Sequence, residues 1–319
     1  MTLRRPIDLV ILGYSERLTD DHNAILSVAR EFGLEAELVT PSRVSLHIDE
    51  TGEHVRVDGQ RFVPRAVVPR GINRPWPMLK QILECWYSDG ARIVPSITAA
   101  DICADKITTS RALSRAGVPV LPTIGIVPGG DVDIHTLQPF SGSEVLTKPA
   151  RGSKARGVTR FTNTLDAREY LAQTLGLQDG VADHQVVQPV ASSAGVDYRV
   201  VVAGAIHPRV VAVTRRIAPH DDFITNRPHA TVEDCDAYID QIPDVIDVAI
   251  RAAQALDLVF GGVDVIVHNG RAAVLEVNAW PGLAVRHRGD ALARALVTEV
   301  MTALQHNKHV HDTARLSHR

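Results

Sequence analysis

The sequence is poor in cysteine and in aromatics, and it has no long apolar run. Its three cysteines, Cys85, Cys103 and Cys235, are odd in number, lie far apart and form no CxxC pair. Neither a disulfide framework nor a zinc site is suggested, and a reducing cytoplasm is the expected compartment. No stretch approaches the ~20 apolar residues that cross a bilayer. The run at residues 7–12 is too short for the core of a signal peptide. Neither sign of charge dominates, since the net charge is -3 with 22% charged residues. No global field therefore draws the chain to nucleic acid or to an anionic membrane. No GxGxxG follows the first apolar run, which argues against a dinucleotide site there. Gly152 and Gly157 have the spacing of a P-loop, but Val158 and Thr159 stand where that loop carries Lys and Ser/Thr. Nor does any Ser-His-Asp or Cys-His arrangement offer a nucleophile.

What is present is an ordinary globular composition, 45% hydrophobic over 319 residues, long enough for two or three domains. Residues 1–98 read as a small α/β unit. It has strands at 7–12, 34–39, 66–69 and 93–94, a helix from Asp20 to Gly33 and another at 79–86. A hairpin over 44–57 carries the turn Asp58-Gly59. Strands alternating with helices predict a largely parallel sheet. Residues 99–189 form a second unit, in which Asp105 caps a helix that Gly117 ends. Strands at 121–127, 144–148 and 185–188 surround a helix at 165–175. A third unit, 190–305, has strands at 198–202, 210–214, 263–267 and 273–277, with helices at 245–256 and 290–304. Residues 306–319 are polar and His-rich, and are expected to be a disordered tail; a metal-binding tract is the minor alternative.

The densest chemistry lies in LEVNAWPGL, residues 275–283. Glu276 and Asn278 are two apart on a strand and share a face. With Asp264 from GGVDVIV they offer three oxygens, a set suited to a hard cation such as Mg²⁺. The turn between these strands decides whether they can meet. A two-residue turn at Asn269-Gly270 would pair His268 with Arg271 and put Asp264 and Glu276 on opposite faces. A three-residue loop would pair His268 with Ala272 and set Asp264 against Glu276, with Gly262 opposite Asn278. The chemistry selects the longer loop. Upstream, KPARGSKARGV places Lys148 at the end of a strand, ahead of a glycine-rich loop with Gly152, Ser153 and Gly157 that could fold over polyphosphate. Arg199, Arg215 and Arg216 lie in valine-rich strands, where a guanidinium needs an anionic partner. Adjacent residues point to opposite faces, so only one of Arg215 and Arg216 can reach a shared site.

The order of these motifs resembles the ATP-grasp superfamily, and within it the RimK-like ligases that add glutamate or another amino acid to a carboxylate. The resemblance covers about residues 66–305. It implies an ATP-grasp fold behind a small Rossmann-like N-terminal domain. It also implies ATP as cosubstrate, with Mg²⁺ (or Mn²⁺) as the metal. Lys106, in DKITTSRALSRAGVPV, and Lys148 match the two ATP-contacting lysines. Gln188, Pro189 and Val190 match the adenine hinge, and Asp197 an acidic position that contacts nucleotide. Arg199 belongs to the family's D-x-R strand and is expected to be catalytic with Arg215, Arg216 and Asn226, which match the arginine and asparagine near the transferred phosphate; Asp264, Glu276 and Asn278 match the metal ligands. Arg227-Pro228-His229-Ala230 and Trp280 depart from the pattern where substrates should sit, so glutamate is not assumed. Arg70, Arg227, Arg286, His287 and Arg288 are expected on the substrate side. The resemblance implies amide or peptide bond formation through an acyl phosphate. The alternatives are a small-molecule kinase or an inactive ATP-binding regulatory protein. The expected partners are a small-molecule or peptide carboxylate and amine, or a carrier protein, and a homo-oligomer is expected.

Overall fold

The computed structural model describes residues 7–13, 17–50, 52–70, 76–127, 132–152, 155–176, 184–220, 222–226, 229–283 and 289–316. It opens with β1 (Leu9–Leu12), α1 (Asp20–Glu31) and β2 (Ala36–Val39). Helix α1 starts where Thr19 and His22 form a reciprocal capping box, with Asp20 and Asp21 in the first turn complementing the helix dipole. Three short antiparallel strands follow, β3 (Val44–Asp49), β4 (Gly52–Val57) and β5 (Gln60–Arg61), so Asp58-Gly59 joins a third strand to the expected hairpin. Then come β6 (Ala66–Pro69), α2 (Trp76–Ser88) and β7 (Arg92–Ile93). The parallel sheet runs in the order β2-β1-β6-β7.

Two capped helices lead onward, α3 (Ile97–Cys103) after Ser96 and α4 (Lys106–Arg115) after Asp105. The next sheet is antiparallel, in the order β10-β9-β11-β8. It is built from β8 (Ile124–Ile126), β9 (Val145–Pro149), β10 (Thr159–Phe161) and β11 (Gln185–Pro189), with α5 (Thr164–Gly176) between the last two. The third sheet joins β12 (Val196–Ala203), β13 (Arg209–Ile217), β14 (Thr231–Asp234), β15 (Phe260–His268) and β16 (Arg271–Asn278). Its order is β14-β13-β12-β15-β16, and α6 (Pro243–Ala255) and α7 (Gly289–Leu316) complete the chain. Helix α7 continues to Leu316 where the sequence suggested a disordered tail. Extending a formed helix costs far less than nucleating one.

Strand β1 is buried on both faces, as a central parallel strand should be. Val10 and Leu12 join a core with Val200, Val263, Trp280 and α6. Leu9 and Ile11 join another with Phe260, Leu283 and α7. The N-terminal and third sheets thus share their cores. The middle sheet has its own, formed by Ile126, Val145, Leu171 and Val187 among others.

The β15–β16 hairpin resolves the question of register. His268 pairs with Arg271, and both Asn269 (φ 51) and Gly270 (φ 73) are left-handed, the signature of the two-residue turn. The expected three-residue loop is therefore incorrect. Yet Asp264 does face Glu276, and Gly262 does face Asn278, because the register shifts between Asp264 and Val265. Val265 pairs with Val274, which leaves Leu275 as the extra residue of a β-bulge. The parity change assigned to the turn is made in mid-strand.

Candidate active site

One face of the third sheet divides into an apolar end and a charged end. Val201, Ala203, Ala212 and Phe260 are buried beneath the α7 core. Farther along the same face stand Asp197 and Arg199 on β12, Thr214 and Arg216 on β13, Asp264 on β15, and Glu276 and Asn278 on β16. Their register makes them neighbours: Asp197 pairs with Arg216, Arg199 with Thr214 and with Asp264, and Asp264 with Glu276. The guanidinium of Arg199 donates to both oxygens of Asp264, at 2.8 and 2.7 Å. Arg216 binds Asp197 in the same two-pronged way, at 2.7 and 2.6 Å, and its Nη2 also lies 2.9 Å from Asp264. Thr225 donates its hydroxyl to Asp197 at 2.7 Å. Burial alone would push the Asp264 carboxyl up, but Arg199 and Arg216 outweigh it and hold the group at about 2. Burial raises Asp197, against the pull of Arg216.

Two lysines reach the same region. Lys148, near the end of β9, is 6% exposed. Burial lowers its ammonium to about 8; Glu276 opposes that shift, and the charge of Lys106 adds to it. Lys106 opens α4 and donates to the Gly152 carbonyl at 3.3 Å, tying the helix start to the loop after β9. Beside it Asp105, the cap, pairs with Arg151 at 3.4 Å. Gly157 closes the loop with φ 73, where a Cβ would stand 3.0 Å from the ring of Pro149. On the Lys148 face of β11, Gln188 donates its amide to Thr123 Oγ1 at 2.8 Å. Its Oε1 is buried with no partner among the described residues. Pro189 completes that strand, and Val190 donates its N–H to the Glu144 carbonyl.

The donor set for a cation is chemically suitable but partly engaged. Asp264 is taken up by two guanidiniums, and the side-chain oxygen of Asn278 accepts from the Trp280 N–H at 2.9 Å. Glu276 is half-buried beside Lys148. Among the described residues no three of His, Cys, Asp or Glu gather into a metal cluster, so a three-oxygen site here needs the amide of Asn278. The groups are oxygen donors on one face, which suits a hard divalent ion.

Several expected site residues lie elsewhere. Arg215 points to the other face and pairs with Glu233 at 3.1 Å, because adjacent strand residues alternate. Asn226 is exposed, and its neighbour Thr225 makes the contact instead. Asp197 is 1% exposed; its Oδ1 accepts from Arg216, and its Oδ2 from Arg216 and Thr225. Arg70 is buried, and its Nη2 is engaged by an ion pair with Asp21. Ser153, Arg227, Arg286, His287 and Arg288 lie outside the described residues. Sequence reasoning missed Thr225 and Asp21, whose partners are 28 and 49 residues away. No local pattern marks such pairs.

Comparison with known proteins bears on this arrangement. A model of the RimK-like ATP-grasp domain matches residues 104–299. The chain belongs to the RimK-like ATP-grasp family. The matched span holds every residue of the charged sheet face, together with Lys106, Lys148 and Gln188. A ribosomal protein bS6–L-glutamate ligase of Salmonella paratyphi B is 31% identical over 251 residues, covering 77% of this chain and 79% of that one. A probable alpha-L-glutamate ligase of Nitrosococcus oceani is 28% identical over 204 residues, and the match spans 64% of each chain, less than two thirds. Among solved structures, the D-cycloserine synthetase DcsG superposes with a TM-score of 0.67 at 22% identity, over 92% of this chain and 99% of that one. The D-alanine-D-alanine ligase of Coxiella burnetii gives 0.67 at 14% identity, over 98% and 99%. At these identities the likeness concerns the fold, which in this RimK-like chain is ATP-grasp behind a parallel N-terminal sheet. No helix among the described residues is long and apolar enough to cross a membrane.

Proposed function

We propose that this protein joins a carboxylate to an amine, with cleavage of ATP to ADP and phosphate. The observation that carries this reading is the convergence of Lys106, Lys148, Arg199 and Arg216 on the sheet face that bears Asp264, Glu276 and Asn278. Four cations beside an oxygen donor set suit a polyphosphate and a transferring phosphoryl group. A carboxylate is a poor acylating agent because oxide is a poor leaving group. Attack of its oxygen on the γ-phosphorus releases ADP and leaves an acyl phosphate. The amine nitrogen then attacks the carbonyl carbon, loses a proton, and expels phosphate.

No covalent enzyme nucleophile is needed, and the candidate nearest the site is unsuited to the role. Burial, aided by the charge of Glu276, pushes the Cys103 thiol up to about 12. Lys148 and Lys106 would neutralise phosphate oxygens, and Arg199 and Arg216, held by Asp264 and Asp197, would face the developing charge. The unpartnered Gln188 Oε1 is a ready acceptor for an amino group of the base. A divalent cation would be held by Asp264, Glu276 and Asn278 and would supply charge neutralisation at the phosphates; Mg²⁺ is the first choice and Mn²⁺ the second. The test is ADP release across a panel of amino acids, small carboxylates and peptides with acidic C-termini. Release that needs both a carboxylate and an amine supports ligation, whereas release with a phosphorylated alcohol or amine as product points to a kinase.

A further inference from the structure

Arg70 follows β6 and is 5% exposed. Its Nη2 donates to Asp21 Oδ2 at 2.5 Å and to the Pro281 carbonyl at 2.8 Å. The other oxygen of Asp21 accepts the N–H of Leu283 at 3.0 Å. One ion pair thus engages a backbone acceptor and a backbone donor on either side of Gly282, which is itself exposed. This segment begins three residues after Asn278. Pro281 also lies over Gly262, where an added Cβ would come within 3.1 Å of its ring, and Gly262 is the register partner of Asn278.

A buried ion pair is a weak source of stability, since an apolar pair of similar volume often serves as well. What an apolar pair cannot reproduce is the two directional bonds to the backbone at 281 and 283. Leu283 is already anchored in the core with Leu9 and Ile11, so the pair is not needed merely to bury the segment. We propose that Arg70, through Asp21 and the Pro281 carbonyl, is a positioning residue that sets the end of the cation-binding strand from the N-terminal unit. This rests on the reading that Asp264, Glu276 and Asn278 hold the divalent cation.

The test uses the full chain and Mn²⁺ as probe, with binding followed by electron paramagnetic resonance in the presence of ADP. Calorimetric titration with ADP alone is the control. Arg70→Met should weaken Mn²⁺ binding about tenfold, at the low end of what the loss of outer supports of metal ligands causes. It should leave cation-free ADP affinity unchanged, as a general loss of structure would not. Asp21→Asn should weaken Mn²⁺ binding in the same sense and speed amide exchange at Leu283. Arg70→Lys, which can still reach one or both acceptors, should recover part of the loss. A folded Arg70→Met protein with wild-type Mn²⁺ affinity overturns the proposal; should that variant not fold, wild-type affinity in Asp21→Asn does so. Glu276→Gln with unchanged Mn²⁺ binding would instead remove the underlying assignment of the cation site.

Discussion

Asp264 stands directly opposite Glu276 across β15 and β16, although the turn that joins these strands holds only Asn269 and Gly270. The bulge at Leu275 makes this geometry, because one extra residue moves everything beyond it to the other face of the strand. Deleting Leu275 removes only the unpaired residue, so it should leave a regular ladder in which Glu276 still faces Asp264 and Asn278 still faces Gly262. The expected protein folds, by circular dichroism, and keeps its Mn²⁺ affinity in the presence of ADP within about tenfold of the wild type. A larger loss would show that the cation depends on the bulge itself and not on the pairing of Asp264 with Glu276.

Arg215 and Arg216 are neighbours with opposite surroundings, so they make a matched pair of probes. Arg216 is 8% exposed in its side chain and serves two buried carboxylates; Arg215 is 39% exposed beside Glu233. Arg216→Ala leaves Asp197 and Asp264 short of a counter-charge and should lower stability by about 3–5 kcal/mol. Arg215→Ala should stay within about 1 kcal/mol of the wild type. Urea unfolding of the two variants measures the difference, and equal losses would contradict the network described.

Lys148 supplies a proton-linked signature of nucleotide binding. Its ammonium sits at about 8 in the free protein because burial disfavours the charge. Polyphosphate favours the charged form and raises that value, so binding must take up protons at and above pH 8. Calorimetry of ADP binding at pH 8, in two buffers of different ionisation enthalpy, should show uptake of about half a proton. The uptake should fade below pH 7, where Lys148 is already protonated. Lys148→Arg cannot lose its charge and should abolish the uptake while retaining binding. Persistent uptake in that variant would assign the proton to another group.

Much of this architecture is legible from local sequence. Apolar runs such as residues 9–12 and caps such as Asp105 mark elements whose causes lie within a few residues. Glu276 and Asn278 share a face by their spacing alone, and the demand that they meet Asp264 gives the correct register for the wrong reason. What the sequence does not reveal depends on partners far along the chain. Arg70 looks like a free guanidinium in a loop, and only the fold brings Asp21 and Pro281 to it. Arg215 and Arg216 are equivalent on paper until the sheet assigns their faces. Thr225 is one residue from the expected Asn226, a shift that strand periodicity cannot resolve in a loop.

The acyl phosphate is the center of the account, and oxygen transfer tests it most directly. A carboxylate that supports amine-dependent ADP release is labelled with ¹⁸O in both oxygens and turned over with unlabelled ATP. Mass spectrometry of the released phosphate then reports where the bond was made. An acyl phosphate leaves one ¹⁸O atom in each phosphate, carried over from the carboxylate oxygen that attacked the γ-phosphorus. Phosphate free of label, with the amide still formed, would contradict it.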